Sequence, residues 1–121
     1  MIETYFWQIE KTINEFPNIR FSSLTKKIYN ATQGYISGSI TFDNDHRLDF
    51  VEVKNTDIEP KIKYRYHYMD ENQKMIFRYD NAPHHSEIQT FPHHKHELDE
   101  ISSSKEPNLY DVLLEISQKQ R

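Results

Sequence analysis

Apolar residues in "MIETYFWQIEKTINEF" recur at steps of three and four: Ile2, Tyr5, Phe6, Ile9, Ile13 and Phe16. That spacing draws one stripe along a helix, and Pro17 ends it, because the proline ring has no N–H and blocks a further turn. From Leu24 onward the period changes to two. The run "GYISGSITFD" sets Ile36, Gly38, Ile40 and Phe42 on one side of a strand, "DND" at residues 43–45 marks a hairpin turn, and "HRLDFVEVK" carries the next strand. Beyond Pro60, residues 61–69 and 74–80 read as two more strands joined through polar "DENQ". Helical spacing returns in "EPNLYDVLLEISQKQ" at Leu109, Val112, Leu113 and Ile116, with Ser104 as the expected cap. The expected fold is α+β: an antiparallel β-sheet meander packed with an N-terminal and a C-terminal α-helix, with a histidine-rich loop before the second helix. A chain of 121 residues suits one domain and one core, so a single domain over 1–121 is expected.

The last hairpin of the meander has two unlike faces. A two-residue loop at Glu71-Asn72 and a four-residue loop over 70–73 give the same register, in which Tyr68 meets Met75, Tyr66 meets Phe77 and Tyr64 meets Tyr79. These aromatic pairs suit a core wall. The other face then pairs His67 with Ile76, Arg65 with Arg78 and Lys63 with Asp80. Two guanidinium groups directly opposite repel unless an acid or an anionic ligand lies between them. Asp49, Glu52 or Asp80 would make this an ordinary ion-pair network, whereas a bound phosphate or carboxylate would make it a clamp.

Charge sharpens this picture. The chain carries 15 basic and 19 acidic residues, a net charge of −4, which argues against broad nonspecific binding to nucleic acid or anionic membranes. The flanks 1–60 and 97–121 are each acidic by three charges, while 61–96 is basic by two and holds six of the seven histidines. An anionic partner should therefore meet the centre of the chain, more strongly as pH falls toward the histidine range. The absence of cysteine excludes thiolate chemistry and suits a reducing cytoplasm, and no apolar run reaches the length of a membrane helix. A cytoplasmic protein with no membrane partner is expected.

The stretch "APHHSEIQTFPHHKHE" concentrates five of those histidines. Three readings fit it. As a metal site, His94 and His96 would point to one side of an extended segment, His84 or His85 would complete three nitrogen ligands, and Asp80 would add an oxygen or orient a ring. As an acid–base site, two imidazoles would move protons while Arg65, Arg78 and Lys95 stabilise a charged phosphorane. As an ordinary polar loop, the histidines would be solvated and Pro83 and Pro92 would set its shape.

Taken together and in this order, "YRYHY", "FRYDNAPHH" and "FPHHKHE" resemble the TumE-type family of toxin–antitoxin proteins, from about Gly34 to the C-terminal helix. The resemblance implies a small toxin that stops growth by attacking RNA or translation, restrained by a cognate antitoxin that usually carries a helix-turn-helix domain. It falls on Tyr64, Arg65, Tyr66 and His67, on Arg78, Tyr79, Asp80, Asn81, Pro83 and His84, and on Pro92, His93, His94 and His96. The expectation is a ribonuclease that uses neither metal nor other cofactor. Its catalytic set would be Arg78, Asp80, His84, His93, His94 and His96, and its RNA-binding set Lys63, Arg65, His67, Tyr79 and Lys95. A metal-dependent enzyme on the same loop and a non-enzymatic binding module are the alternatives.

Overall fold

The computed structural model describes residues 1–83 and 90–120, and within them the chain runs α1 (Ile2–Glu15), β1 (Ile19–Ile28), β2 (Gln33–Phe42), β3 (Arg47–Asn55), β4 (Lys63–Met69), β5 (Met75–Asp80), β6 (His94–Glu97), β7 (Glu100–Ser103) and α2 (Leu109–Lys119). All described strands form one antiparallel sheet in chain order, each beside its sequence neighbour. The α+β meander with a helix at each end is the fold that the periodicity predicts.

Both helices cover the same side of the sheet. Ile2, Phe6, Ile9 and Ile13 of α1 and Leu109, Val112, Leu113 and Ile116 of α2 join Ile36, Ile40, Leu48, Phe50, Tyr64, Tyr66, Tyr68 and Phe77 in one buried cluster. Burial of this apolar surface is the main stabilising term. One carboxylate sits within it: Glu52, 1% exposed, accepts from Tyr66 Oη (2.6 Å) and from the Tyr5 hydroxyl. Two phenolic donors offset its desolvation. Glu52 therefore lies on the helix side and does not neutralise the arginines. Among the described residues no helix covers the other side, whose outward positions alternate with the core positions strand by strand.

Three expectations are corrected. Residues 94–97 and 100–103 are strands β6 and β7, not loop, and β1 begins at Ile19, ahead of the first alternating residues. The cap of α2 is Asn108 rather than Ser104: its side chain accepts from Asp111 N (2.8 Å) while Asp111 Oδ2 accepts from Asn108 N (3.0 Å), a reciprocal capping box. Third, the β4–β5 register slides by two residues, so Tyr66 meets Tyr79, Arg65 meets Asp80 and His67 meets Arg78. Two insertions add up to this. Gln73 takes the left-handed conformation (φ 65°) after a turn closed by Gln73 N–H to Asp70 O (3.0 Å), which lengthens the loop by one. Ile76 is then an extra residue between Met75, opposite Met69, and Phe77, opposite Tyr68, and it packs on the core. Beyond the bulge the slip is even, so Phe77, Arg78, Tyr79 and Asp80 keep their expected faces with new partners, whereas Met75, expected against Tyr68 on the core wall, pairs with Met69 instead.

Candidate functional site

Antiparallel neighbours place outward residues in rows across the open face, about 4.8 Å from strand to strand. One row runs Ser23, Ser39, Asp49, His67, Arg78, His96; the next runs Thr25, Ser37, Val51, Arg65, Asp80, His94. The slipped register thus separates the two arginines that simple pairing would set face to face. Asp80 stands opposite Arg65, and His67 stands opposite Arg78.

Arg78 ties the rows together. Its Nε donates to Asp80 Oδ2 (3.0 Å) and its Nη2 to His96 Nε2 (3.2 Å). A guanidinium can only donate, so His96 Nε2 presents its lone pair to Arg78, with Asp80 Oδ2 a further 3.5 Å contact. His94 is fixed at both ring nitrogens. Nδ1 donates to Pro92 O (2.8 Å), because a carbonyl only accepts, and Nε2 lies 2.8 Å from Asp80 Oδ1. Ala82 N also donates to that oxygen (3.1 Å). His94 is 1% exposed and Asp80 6%, so this pair lies beneath the surface, while the His96 ring sits 4.7 Å from the His94 ring, edge to face, at the rim of a cleft. That cleft encloses about 550 Å³ and is lined by Lys63, Arg65, Arg78, Asn81 and His96 among others.

The face is electropositive. Burial, then Arg78 and Arg65, push His67 below its ordinary value against the opposing pull of Asp49. No ion-pair partner for Lys63 or Arg65 lies among the described residues, both of which are exposed. Arg47 is the counterpart of Asp49, with Nη2 donating to Oδ2 at 3.2 Å.

Of the residues singled out in the sequence, Lys63, Arg65, His67, Arg78, Asp80, His94 and His96 come together here. Three others do not. His93 turns to the core side, where its ring stacks on Tyr64 at 5.8 Å and its Nδ1 lies 2.9 Å from Tyr64 Oη. Tyr79 and Lys95 also face the helices: Tyr79 Oη donates to Glu115 Oε1 (2.6 Å) and Lys95 Nζ to Glu115 Oε2 (2.8 Å). Both alternate with the site residues of their own strands and so stand on the side away from the open face. His84 and His85 lie outside the described residues. Conversely, Arg47 and Asp49 line the same face without standing in the expected site, although their spacing of two from one another and from Val51 already places all three on one side of β3.

One ligand atom each from Asp80, His94 and His96 lie within 4.8 Å of one another, close enough to hold a metal ion. The Pro92 carbonyl fixing Nδ1 of His94 is the kind of support that orients a ligating imidazole. Against this, Arg78 donates into the lone pair of His96 that a metal would use, and a guanidinium beside a cation is repelled by it.

A family model described as Toxin TumE matches residues 9–120, nearly the whole chain, and the chain belongs to that toxin family. No curated protein and no solved structure matched the chain.

Proposed function

We propose that this member of the TumE family is the toxin of a toxin–antitoxin pair, held in check by a cognate helix-turn-helix antitoxin, and that it cleaves RNA by proton transfer without a metal. The observation that carries the reading is the row His67, Arg78, His96, in which a guanidinium stands between two imidazoles on the open, positive face. A phosphodiester seated on Arg78 and Arg65 has one imidazole on each side.

The chemistry balances with RNA alone. His67, held neutral by burial and the neighbouring arginines, takes the proton of the ribose 2′-hydroxyl, whose oxygen attacks phosphorus. The P–O5′ bond breaks, and His96, which on taking up a proton exchanges the Arg78 contact at Nε2 for Asp80 Oδ2, gives a proton to the departing 5′-oxygen. Arg65 and Arg78 stabilise the extra charge of the phosphorane. The products are a 2′,3′-cyclic phosphate and a 5′-hydroxyl. Asp80 balances the charge that His96 carries as acid and, with the Pro92 carbonyl, fixes His94 behind it. His94, being buried, positions the site and does not touch RNA.

The test is cleavage of a purified single-stranded RNA, with end-group analysis. Cyclic phosphate ends, full activity in chelator, and losses of roughly 10²- to 10⁴-fold in His67→Ala and His96→Ala are expected. The second reading, favoured by the Asp80–His94–His96 cluster, is a metal-activated water. A substrate with a single 2′-deoxy sugar at the scissile position separates the two, because a metal-bound water still cuts it and the 2′-hydroxyl route cannot. An intact deoxy-substituted RNA upholds the first scheme; cleavage lost to chelator transfers the site to the second. Absence of turnover with folded wild type overturns both in favour of a binding module.

A further inference from the structure

Next to the cleft lies a second hollow of similar size, about 530 Å³, over β1, β2 and β3. The two share Lys63 and Arg65 in their walls. The hollow is an extension of the site rows: Ser23 and Ser39 continue the row of His67 and Arg78, and Thr25 and Ser37 continue the row of Arg65 and Asp80. Their short hydroxyl side chains leave the sheet surface low between taller Tyr35 and Arg47. Asp49 is the single carboxylate among its lining residues and is already matched to Arg47, so Lys63 and Arg65 give the hollow an excess of two positive charges on a chain whose total is −4.

We infer that this hollow is a binding track for single-stranded RNA, receiving the nucleotides on one side of the scissile phosphate after the strand crosses Lys63 and Arg65. The inference rests on the ribonuclease reading of the cleft. A polyanion fits the charge, because phosphates gain most where cations lack local partners. Serine and threonine hydroxyls suit phosphate oxygens and ribose hydroxyls, since each can both donate and accept. Tyr35, half-buried at the wall, offers a ring to one base. A protein partner fits less well, because protein interfaces centre on exposed aromatic or apolar anchors, and besides Tyr35 the apolar side chains of this lining, Phe50 and Val51, are themselves buried. The consequence is that the protein prefers a strand of several nucleotides to a dinucleotide.

The experiment compares kcat/KM for a dinucleotide and for an eight-nucleotide single-stranded RNA, in wild type, Ser37→Asp and Ser37→Lys. Wild type should prefer the octamer by at least about tenfold, Ser37→Asp should lose about five- to tenfold of that preference, and Ser37→Lys should retain or increase it. Opposite responses to opposite charges identify a track for an anion; equal losses in both variants reveal damage to the sheet and overturn it. An octamer no better than the dinucleotide also overturns it, while leaving the cleft chemistry intact. If wild type cleaves neither substrate, the ribonuclease reading fails, and the affinity of the octamer for the three proteins decides the track separately. Binding that weakens in Ser37→Asp and strengthens in Ser37→Lys retains it. Binding of a polyglutamate peptide as tightly as the RNA assigns the hollow to a protein partner and overturns it.

Discussion

His67 shows how a residue's neighbours set its chemistry. With an ordinary value of 6.5, it would be partly charged near neutrality, but burial and the adjacent Arg78 and Arg65 favour its neutral form. The unfolded chain then binds its proton before the folded one does as pH falls. Stability therefore declines below the ordinary histidine value and stops declining, for this residue, once folded His67 is itself protonated. Urea midpoints for wild type and His67→Asn at about pH 7.5 and about pH 5.5 check this: the wild type should lose more between them. An equal loss would mean that other groups carry the whole dependence. The same neutral imidazole predicts that cleavage keeps its base to lower pH than an unperturbed histidine would allow. From sequence, His67 was legible as part of a basic strand face, but its partner was not. The extra residues that slid the register, Gln73 in a left-handed turn and Ile76 in a bulge, carry no glycine, asparagine or proline to announce them.

At the scale of elements, strong periodicity was readable and borrowed order was not. α1, α2 and the strands β2 to β5 each bury an alternating or helical apolar set, so their hydrophobic patterns declare them. Most of β1 is exposed, with Leu24 and Ile19 half-buried, and β6 reads "HKHE"; such segments become strands through the hydrogen bonds of a neighbour already in place. Two glycines show how closely the legible elements pack. A Cβ at Gly34 would meet the backbone oxygen of Lys27 at 2.8 Å, with Ile2 Cγ1 at 2.8 Å and Phe6 Cζ at 2.9 Å. One at Gly38 would meet Leu24 Cδ2 and Phe50 Cε1, each at 2.6 Å. Leu24 is half-exposed and its terminal methyl can swing away, whereas a backbone carbonyl bonded into the sheet cannot. Gly34→Ala should therefore destabilise by about 2–3 kcal/mol and Gly38→Ala by less, about 1–2 kcal/mol. Denaturant titration of the two variants ranks them, and the reverse order would mean that the Phe50 ring, not the Lys27 carbonyl, sets the limit.

For the whole molecule, the sheet separates a packed side from a cationic side. Helices and aromatic core occupy one side, the cationic rows the other, and the described helices contain none long and apolar enough to cross a membrane. Glu115 of α2 ties that helix to two of the strands that carry the cationic rows. From beneath the sheet it accepts from Tyr79 on β5 and Lys95 on β6, strands whose alternate residues are Arg78, Asp80, His94 and His96. Burial and then the bond to Glu115 push the Tyr79 hydroxyl up to about 12, which keeps it a donor throughout the physiological range. Lys95 also lies 5.0 Å from the Tyr79 ring centre, so its ammonium is held by a charge and a π face together. Removing the carboxylate in Glu115→Ala should cost about 2 kcal/mol, reduced from a fully buried pair because both partners retain some contact with water. The functional consequence is specific: β6 loses its tie to α2, His96 loses its fixed place beside Arg78, and cleavage falls about tenfold or more. Lys63 and Arg65 stand on β4 and make no contact with Glu115 among the described bonds, and Arg78 keeps its own bond to Asp80, so affinity for a non-cleavable single-stranded RNA should change less than about twofold. Measured together, a lowered kcat with an unchanged dissociation constant assigns α2 to holding the catalytic strands in register. If affinity and cleavage fall in parallel, Glu115 supports the whole sheet, and the two faces are not separable.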